Sequence, residues 1–349
     1  MNILIVKLSA IGDVIHTLPA LNALRSRYPG ARITWLVEEA AAGLVQGHAA
    51  LDRVIVSRRK RWIRNLRQRR FRELREIRRF LRRLRDTRYD LVLDFQALLK
   101  SGVLVALVRG DRKIGFDRGM EHMEHSWVFL NERVPPADME MHALDRNLSM
   151  LEPLGIRSKT IRYVLPVRVD HAEAADRLLA EHGLTGATGP LIAVNCAAKW
   201  PSKLWPEAHF ARLADELVEK CRARLVFTGS EADGPLVRRV FSHMHHPAVD
   251  VTGRTSLLTL AALYQRVRVL VSTDTGPMHL GAAVGIPVVA VFGPTAPWRT
   301  GPYGPQHRVV RAGLPCSPCF LRRCPRAMEC MASVTPEQVF PVVQEILGD

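Results

Sequence analysis

Apolar residues fall along the chain in two alternating patterns, and the alternation runs through twice. In the first half, residues 2–8, 33–37 and 90–94 are short runs rich in Ile, Leu and Val, as in strands buried on both faces, and 54–56 is a shorter run of the same kind. Between the first two, Leu18, Leu21 and Leu24 recur at the spacing of a helix face, and Pro29-Gly30 ends that unit. Residues 112–118 read as one more short strand and loop, and 142–154 as a helix. The second half restarts the pattern with strands at 191–195, 225–227, 249–251, 269–271 and 288–292. Helices at 207–219 and 278–284 lie among them, and an amphipathic helix at 335–347 closes the chain. Strands that alternate with helices predict an α/β protein whose parallel sheets are covered on both faces. Pro166 punctuates an extended stretch over 161–169, which divides an N-terminal domain, 1–165, from a C-terminal one, 166–349.

The 349 residues are enough for two such domains. No apolar run reaches the length of a membrane span. The chain enters its first strand at Asn2 with no basic segment or cleavage site, so a cytoplasmic protein is expected. In that reducing compartment six cysteines are thiols or metal ligands, not a disulfide scaffold. Charge changes the picture more. The formal balance is +16, and residues 58–88 hold 16 Arg or Lys against Glu73, Glu76 and Asp86, a local +13. Ile63, Leu66, Leu74, Ile77, Leu81 and Leu84 recur there at helical spacing, which predicts a basic amphipathic helix or helical hairpin inserted in the first domain. Such an element docks on an anionic membrane surface, where each basic residue contributes roughly 1 kcal/mol, or on nucleic-acid phosphates. No helix-turn-helix, zinc-finger or RNA-recognition pattern accompanies it, so a peripheral membrane role ranks above nucleic-acid binding.

The stretch densest in chemistry is Val269-Leu-Val-Ser-Thr-Asp-Thr-Gly-Pro-Met-His279 with the strand that follows. It reads as strand, turn, helix and strand, with Pro277 suited to the first helical turn. The free N–H groups and dipole of that helix start form an anion site at the end of a parallel strand, where open α/β sheets bind ligands. Asp274, Thr275, Gly276 and His279 crowd the same mouth, a set better suited to a phosphorylated sugar donor than to a bare cap. Lys203, on a loop bounded by Trp200, Pro201 and Trp205, is a phosphate partner or an ordinary surface lysine. The first strand's turn has one glycine, Gly12, and lacks the dinucleotide fingerprint. Asp13 beside it either complements the helix dipole or serves as a general base, with Lys7 and His16 flanking it to keep it ionised. Lys100, past the strand at 90–94, reaches the same mouth or stays an exposed helix lysine. Cys316, Cys319, Cys324 and Cys330 fit a structural tetrahedral zinc or iron site, or stay reduced in a packed loop. No Asp-x-Asp metal motif is evident, so no cofactor is required for catalysis.

Three separated motifs, in order, resemble glycosyltransferase family nine, the lipopolysaccharide heptosyltransferases. They are Lys7-Leu-Ser-Ala-Ile-Gly-Asp-Val-Ile-His-Thr-Leu-Pro-Ala20, Ser202-Lys-Leu-Trp-Pro206, and Asp274-Thr-Gly-Pro-Met-His279 with Phe292-Gly-Pro-Thr295. The resemblance runs over essentially the whole chain. It implies the GT-B fold, in which two Rossmann-like domains face each other across a cleft and the last helix crosses back onto the first. It also implies an ADP-heptose donor on the second domain and a Kdo-lipid A-type acceptor on the first, at the inner face of the inner membrane. By motif, Asp13 would be the base for the acceptor hydroxyl, and Lys203 would neutralise the leaving diphosphate with Thr275 and Gly276 beside it. Asp274 and His279 would position the sugar-diphosphate, Glu231 and Thr255 would lie near the nucleoside, and Ser9, His16 and Lys100 would stand on the acceptor side. The mechanism would be a single inverting displacement. The family's hydroxyl pair upstream of the lysine is replaced here by Ala197-Ala198-Lys199. Residues 94–101 and the basic helix look most like members that add the first heptose to Kdo, whereas the four-cysteine loop looks more like members that add a later one.

Overall fold

The computed structural model describes residues 1–68, 73–120, 124–158, 160–186 and 188–348. They fold as two units, Met1–Pro166 and Val167–Asp349. In the first, β1 (Asn2–Val6), β2 (Arg32–Glu38), β3 (Arg53–Ser57), β4 (Arg88–Asp94), β5 (Arg109–Phe116) and β6 (Glu132–Val134) form one sheet in the order β3-β2-β1-β4-β5-β6. In the second, β7 (Leu191–Asn195), β8 (Arg224–Phe227), β9 (Val249–Asp250), β10 (Val269–Thr273), β11 (Val288–Phe292) and β12 (Arg308–Arg311) take the order β12-β11-β10-β7-β8-β9. Every pairing is parallel. Each sheet therefore runs outward in both directions from its first strand, the doubly wound order. Strand order reverses between β1 and β4 and between β7 and β10, and ligands bind beyond the strand ends at such a reversal.

The central strands are apolar along their whole length because helices cover both faces. Ile3, Leu4, Ile5 and Val6 are fully buried, as are Val269, Leu270 and Val271. The edge strands β6 and β12 escape the apolar pattern, since Glu132-Arg133-Val134 and Arg308-Val309-Val310-Arg311 each carry two charged residues. The helices Leu99–Leu107 and Val169–Glu181 also go beyond the sequence reading, and the one expected over 142–154 is Ala143–Ser149 followed by a short turn, Glu152–Leu154.

The basic segment is two helices, Arg59–Arg67 and Glu73–Arg85, and its residues 69–72 lie outside the described set. Trp62, Phe80 and Leu84 are buried in the first unit's core with Leu4, Val6 and Tyr89, the Trp62 and Phe80 rings 5.1 Å apart. Burying such side chains contributes about 1.5–3 kcal/mol each. It leaves Arg75, Arg78, Arg79, Arg82, Arg83 and Arg85 exposed. Ile63 and Leu74, expected on the buried face, are 40% and 43% exposed; on the first helix Trp62, one residue before Ile63, supplies the buried contact. The last helix, Pro336–Leu347, places Val339, Phe340 and Val343 in the second unit's core with Phe210, Leu217 and Val289. Its apolar face packs within the second unit. No helix among the described residues is long and apolar enough to cross a membrane.

Candidate active site

Parallel strands bring the loops after them to one edge. Along the second sheet's edge, the strands β11, β10, β7, β8 and β9 lead in turn to Thr295, Asp274, Lys203, Glu231 and Thr255. Three of them are joined: Lys203 Nζ lies 2.6 Å from Asp274 Oδ2, and the Thr295 hydroxyl donates to the same oxygen at 2.6 Å. His279 Nε2 stands 4.0 Å from Asp274 Oδ1. The carboxylate is 6% exposed and the lysine 16%. A charge so far from water needs partners, and the ammonium and the hydroxyl supply them. Thr275 caps the helix Gly276–Ala283 in extended conformation, yet its side chain accepts no capping hydrogen bond. The first amides of that helix thus receive no side-chain cap, which suits an incoming anion.

Lys203 is held from two sides. Its Nζ sits 4.5 Å from the centre of the Trp200 ring, over which the Arg322 guanidinium also lies. Trp205 is buried, donates to Val334 O at 2.8 Å and meets Phe210 edge-on. The cysteine-rich loop fixes the rest. Ser202 donates through its hydroxyl to Leu321 O and through its amide to Arg322 O, while Cys319 and Phe320 donate to Pro294 O and Ser317 to Gly293 O. One segment therefore clamps the loop bearing Lys203 to the loop bearing Thr295. Burial pushes the Cys330 thiol up, with the neighbouring Cys324, Cys319 and Cys316 adding to it. The four cysteines are free, and among the described residues no three His, Cys, Asp or Glu side chains converge as a metal site. Thr295, Trp200 and Arg322 went unassigned in the sequence, because partners drawn from distant loops leave no local spacing to read.

In the first unit, Asp13 is half-buried at the start of the helix Ile11–Arg27 and accepts the Ala10 amide at 2.9 Å. It lines a pocket of about 140 Å³ with Lys7, Gln96, Arg146 and Asn147. Lys7 is buried, donates to Phe95 O at 2.8 Å and has its ammonium pKa lowered by burial, with Asp13 and Asp94 opposing the shift. Gln96 Oε1 accepts the Leu8 and Ser9 amides, both at 2.9 Å, and so ties the turn after β1 to the turn after β4. Lys100 Nζ donates to Ser9 Oγ at 2.7 Å. It also belongs to a cluster in which the buried Glu38 carboxylate meets Arg59 at 3.3 Å, Lys60 at 3.4 Å and Lys100 at 3.7 Å. One carboxylate among three cations leaves a net positive corner beside Ser9. His16 is buried and packs edge-on against His142, with ring centres 5.0 Å apart.

Asp94, at the end of β4, is the ionisable group the sequence reading passed over. Its carboxylate accepts the Gln96 and Ala97 amides and the Ser101 hydroxyl, and so fixes the loop that carries Gln96 and Lys100. Burial pushes its pKa from 3.8 up to about 6, against the pull of those donors. The folded value lies above the unfolded one, so the folded state binds the proton more tightly. That contribution is full below the unfolded value and is lost as pH rises through about 6. The shift corresponds to something on the order of 3 kcal/mol. Asp94→Asn is therefore expected to gain stability relative to wild type between about pH 4 and pH 6, with no further change above. Urea unfolding across that range checks it, and parallel stability curves for the two proteins would refute it.

The family model for glycosyltransferase family 9 (heptosyltransferase) matches residues 77–329. Lipopolysaccharide heptosyltransferase 1 of Pseudomonas aeruginosa is 34% identical over 329 residues, covering 93% of this chain and 87% of its own. Among solved structures, the glycosyl transferase family 9 protein of Veillonella parvula matches with a TM-score of 0.80 at 25% identity, over 99% of this chain and 97% of that one. The E. coli heptosyltransferase WaaC with ADP-2-deoxy-2-fluoro heptose matches with 0.75 at 28% identity, over 99% of both chains.

Proposed function

The chain belongs to glycosyltransferase family 9, and from that premise we propose that it moves heptose from ADP-heptose to the Kdo sugar of the lipopolysaccharide inner core in one inverting step. It is a heptosyltransferase of lipopolysaccharide synthesis. An acceptor hydroxyl attacks the anomeric carbon as the bond to the diphosphate breaks. Asp13 takes the hydroxyl proton, and ADP leaves with its charge on Lys203 and on the helix start at Thr275 and Gly276. Asp274 and His279 position the sugar-diphosphate, with Thr295 holding Asp274. Glu231 and Thr255, further along the same edge, meet the nucleoside. Ser9, His16 and Lys100 act on the acceptor side. The scheme places the leaving charge on residues of the chain and asks for no divalent ion. A lipid A-type acceptor is anionic and membrane-embedded, which gives the exposed arginines of helices Arg59–Arg67 and Glu73–Arg85 a surface to rest on and puts the enzyme on the inner face of the inner membrane.

The observation that carries the donor half is the buried Lys203–Asp274 pair beside an uncapped helix start, at the strand-order reversal of the second sheet. The heptose analogue seen with the similar E. coli protein supports the donor's identity. Turnover of ADP-heptose with Kdo₂-lipid A tests the reading, with ADP release and product mass as readouts. Tight binding of ADP-heptose without turnover on that acceptor would transfer the assignment to a later-heptose acceptor. Absence of binding to both ADP-heptose and ADP would sink the donor.

A further inference from the structure

The helix Leu99–Leu107 presents an apolar side to solvent. Leu99, Val103 and Leu107 stand at i, i+4 and i+8, on one face, and are 48%, 46% and 39% exposed; Ala106 is exposed as well. Surface helices ordinarily turn charged residues outward, and this face carries none. The short turn Ser126–Phe129 packs against the helix at Gly102, where a Cβ would come 2.6 Å from the Phe129 ring. That contact holds Val128, 55% exposed, beside the helix. Between the helix and the basic segment runs a groove of about 430 Å³, lined by Trp62, Phe80, Leu104, Leu99 and Val103, with Arg59 and Lys100 set against a single acid, Glu124, which accepts the Leu99 amide at 3.0 Å. The apolar face and the cationic helices are therefore neighbours on one surface.

The geometry points to an insertion surface: Leu99, Val103, Leu107 and Val128 enter the acyl layer of an anionic bilayer while the arginines of helices Arg59–Arg67 and Glu73–Arg85 rest on its headgroups. Exposed apolar patches mark interaction sites, and apolar side chains next to Lys and Arg are the pattern of proteins that lie on a membrane. A second copy of the chain fits less well, because docking on this face would bring two strongly basic segments together. The inference deepens the function proposed above and rests on its membrane-borne acceptor. Charge alone would give an attachment that salt dissolves, whereas inserted side chains give one that survives it.

The test is co-sedimentation with phosphatidylglycerol-rich vesicles, comparing wild type with Leu99→Ser/Val103→Ser/Leu107→Ser. All three positions are already exposed, so folding should be retained, and circular dichroism checks it. At low salt both proteins should bind. At about 1 M salt, where screening shortens to about 3 Å, wild type should remain bound and the triple variant should be released, with vesicle affinity lower by ~10- to 100-fold. Equal partition of the two proteins at high salt overturns the inference. So does a wild-type dimer that the triple variant converts to monomer, which would give the face to a second copy. Turnover on a soluble, deacylated acceptor should be unchanged in the triple variant, and its loss would overturn the inference by assigning these side chains to the acceptor site. If wild type shows no turnover on that acceptor while the vesicle pattern holds, the acceptor assignment fails and the insertion surface stands.

Discussion

Lys203→Ala is expected to lower kcat for ADP-heptose turnover by about 10²–10³, the usual effect of removing one preorganised group aimed at developing charge. The leaving diphosphate gains negative charge as the glycosidic bond breaks, and Lys203 is a half-buried cation already fixed at the strand ends by Asp274, by the Trp200 face and by the Ser202 hydrogen bonds. The same substitution has a structural cost. It strands the 6% exposed Asp274 carboxylate with Thr295 as its remaining close partner, and breaking a buried pair costs about 3–5 kcal/mol. A drop in activity alone would therefore not separate catalysis from folding. Lys203→Ala/Asp274→Asn, read against Asp274→Asn alone, does, since the neutral amide no longer needs the ammonium and the single variant accounts for Asp274's own hold on the donor. It should recover most of the lost stability in urea unfolding and none of the turnover. If turnover returned with stability, Lys203 would be a structural counter-ion and the diphosphate would be bound elsewhere. Lys203→Arg should fall between, because a planar guanidinium places its donors differently from a compact ammonium.

Much of this site could be read before the fold was seen, wherever the signal is local. The run 269–292 contains a strand, a turn, a helix start and a strand in order, so Asp274, Thr275 and His279 could be placed at a strand end from spacing alone. Asp13 followed in the same way from the first strand and its turn. What stayed hidden depends on contacts between distant segments. Thr295 matters because β11 lies next to β10, and Arg322 because its loop folds back on Trp200. Asp94 looked like one more strand residue until the burial of its carboxyl was visible. The strands β6 and β12 carry charged residues at sheet edges and so lack an apolar run. The helix Leu99–Leu107 has too few polar residues to show a polar face, and that same lack is what leaves Leu99, Val103 and Leu107 facing outward. The role of the cysteine-rich loop was equally hidden: its spacing suggests only a metal site or thiols, while its backbone clamps Ser202 and Pro294.

Asp13 offers the sharper separation, because its two readings predict different outcomes for two substitutions. As a helix-start carboxylate it accepts the Ala10 amide at 2.9 Å, and losing that acceptor costs about 0.5–2 kcal/mol. As a general base it removes the acceptor proton, a contribution of about 10²–10⁴ in rate. Asp13→Ala abolishes both roles. Asp13→Asn keeps an oxygen where the Ala10 amide needs one but has no affinity for a proton at neutral pH. The Asn variant should therefore unfold close to wild type and bind ADP as wild type does, yet turn over ADP-heptose at least 10²-fold more slowly. The Ala variant should match that rate and unfold more easily. Its surroundings favour the chemical role: it lines a pocket with Lys7 and Arg146, while Gln96 fixes the turn from which Asp13 projects. Should Asp13→Asn turn over at the wild-type rate while Asp13→Ala merely loses stability, the carboxylate is a cap, and the base must be sought among the other groups at the end of β1 and β4.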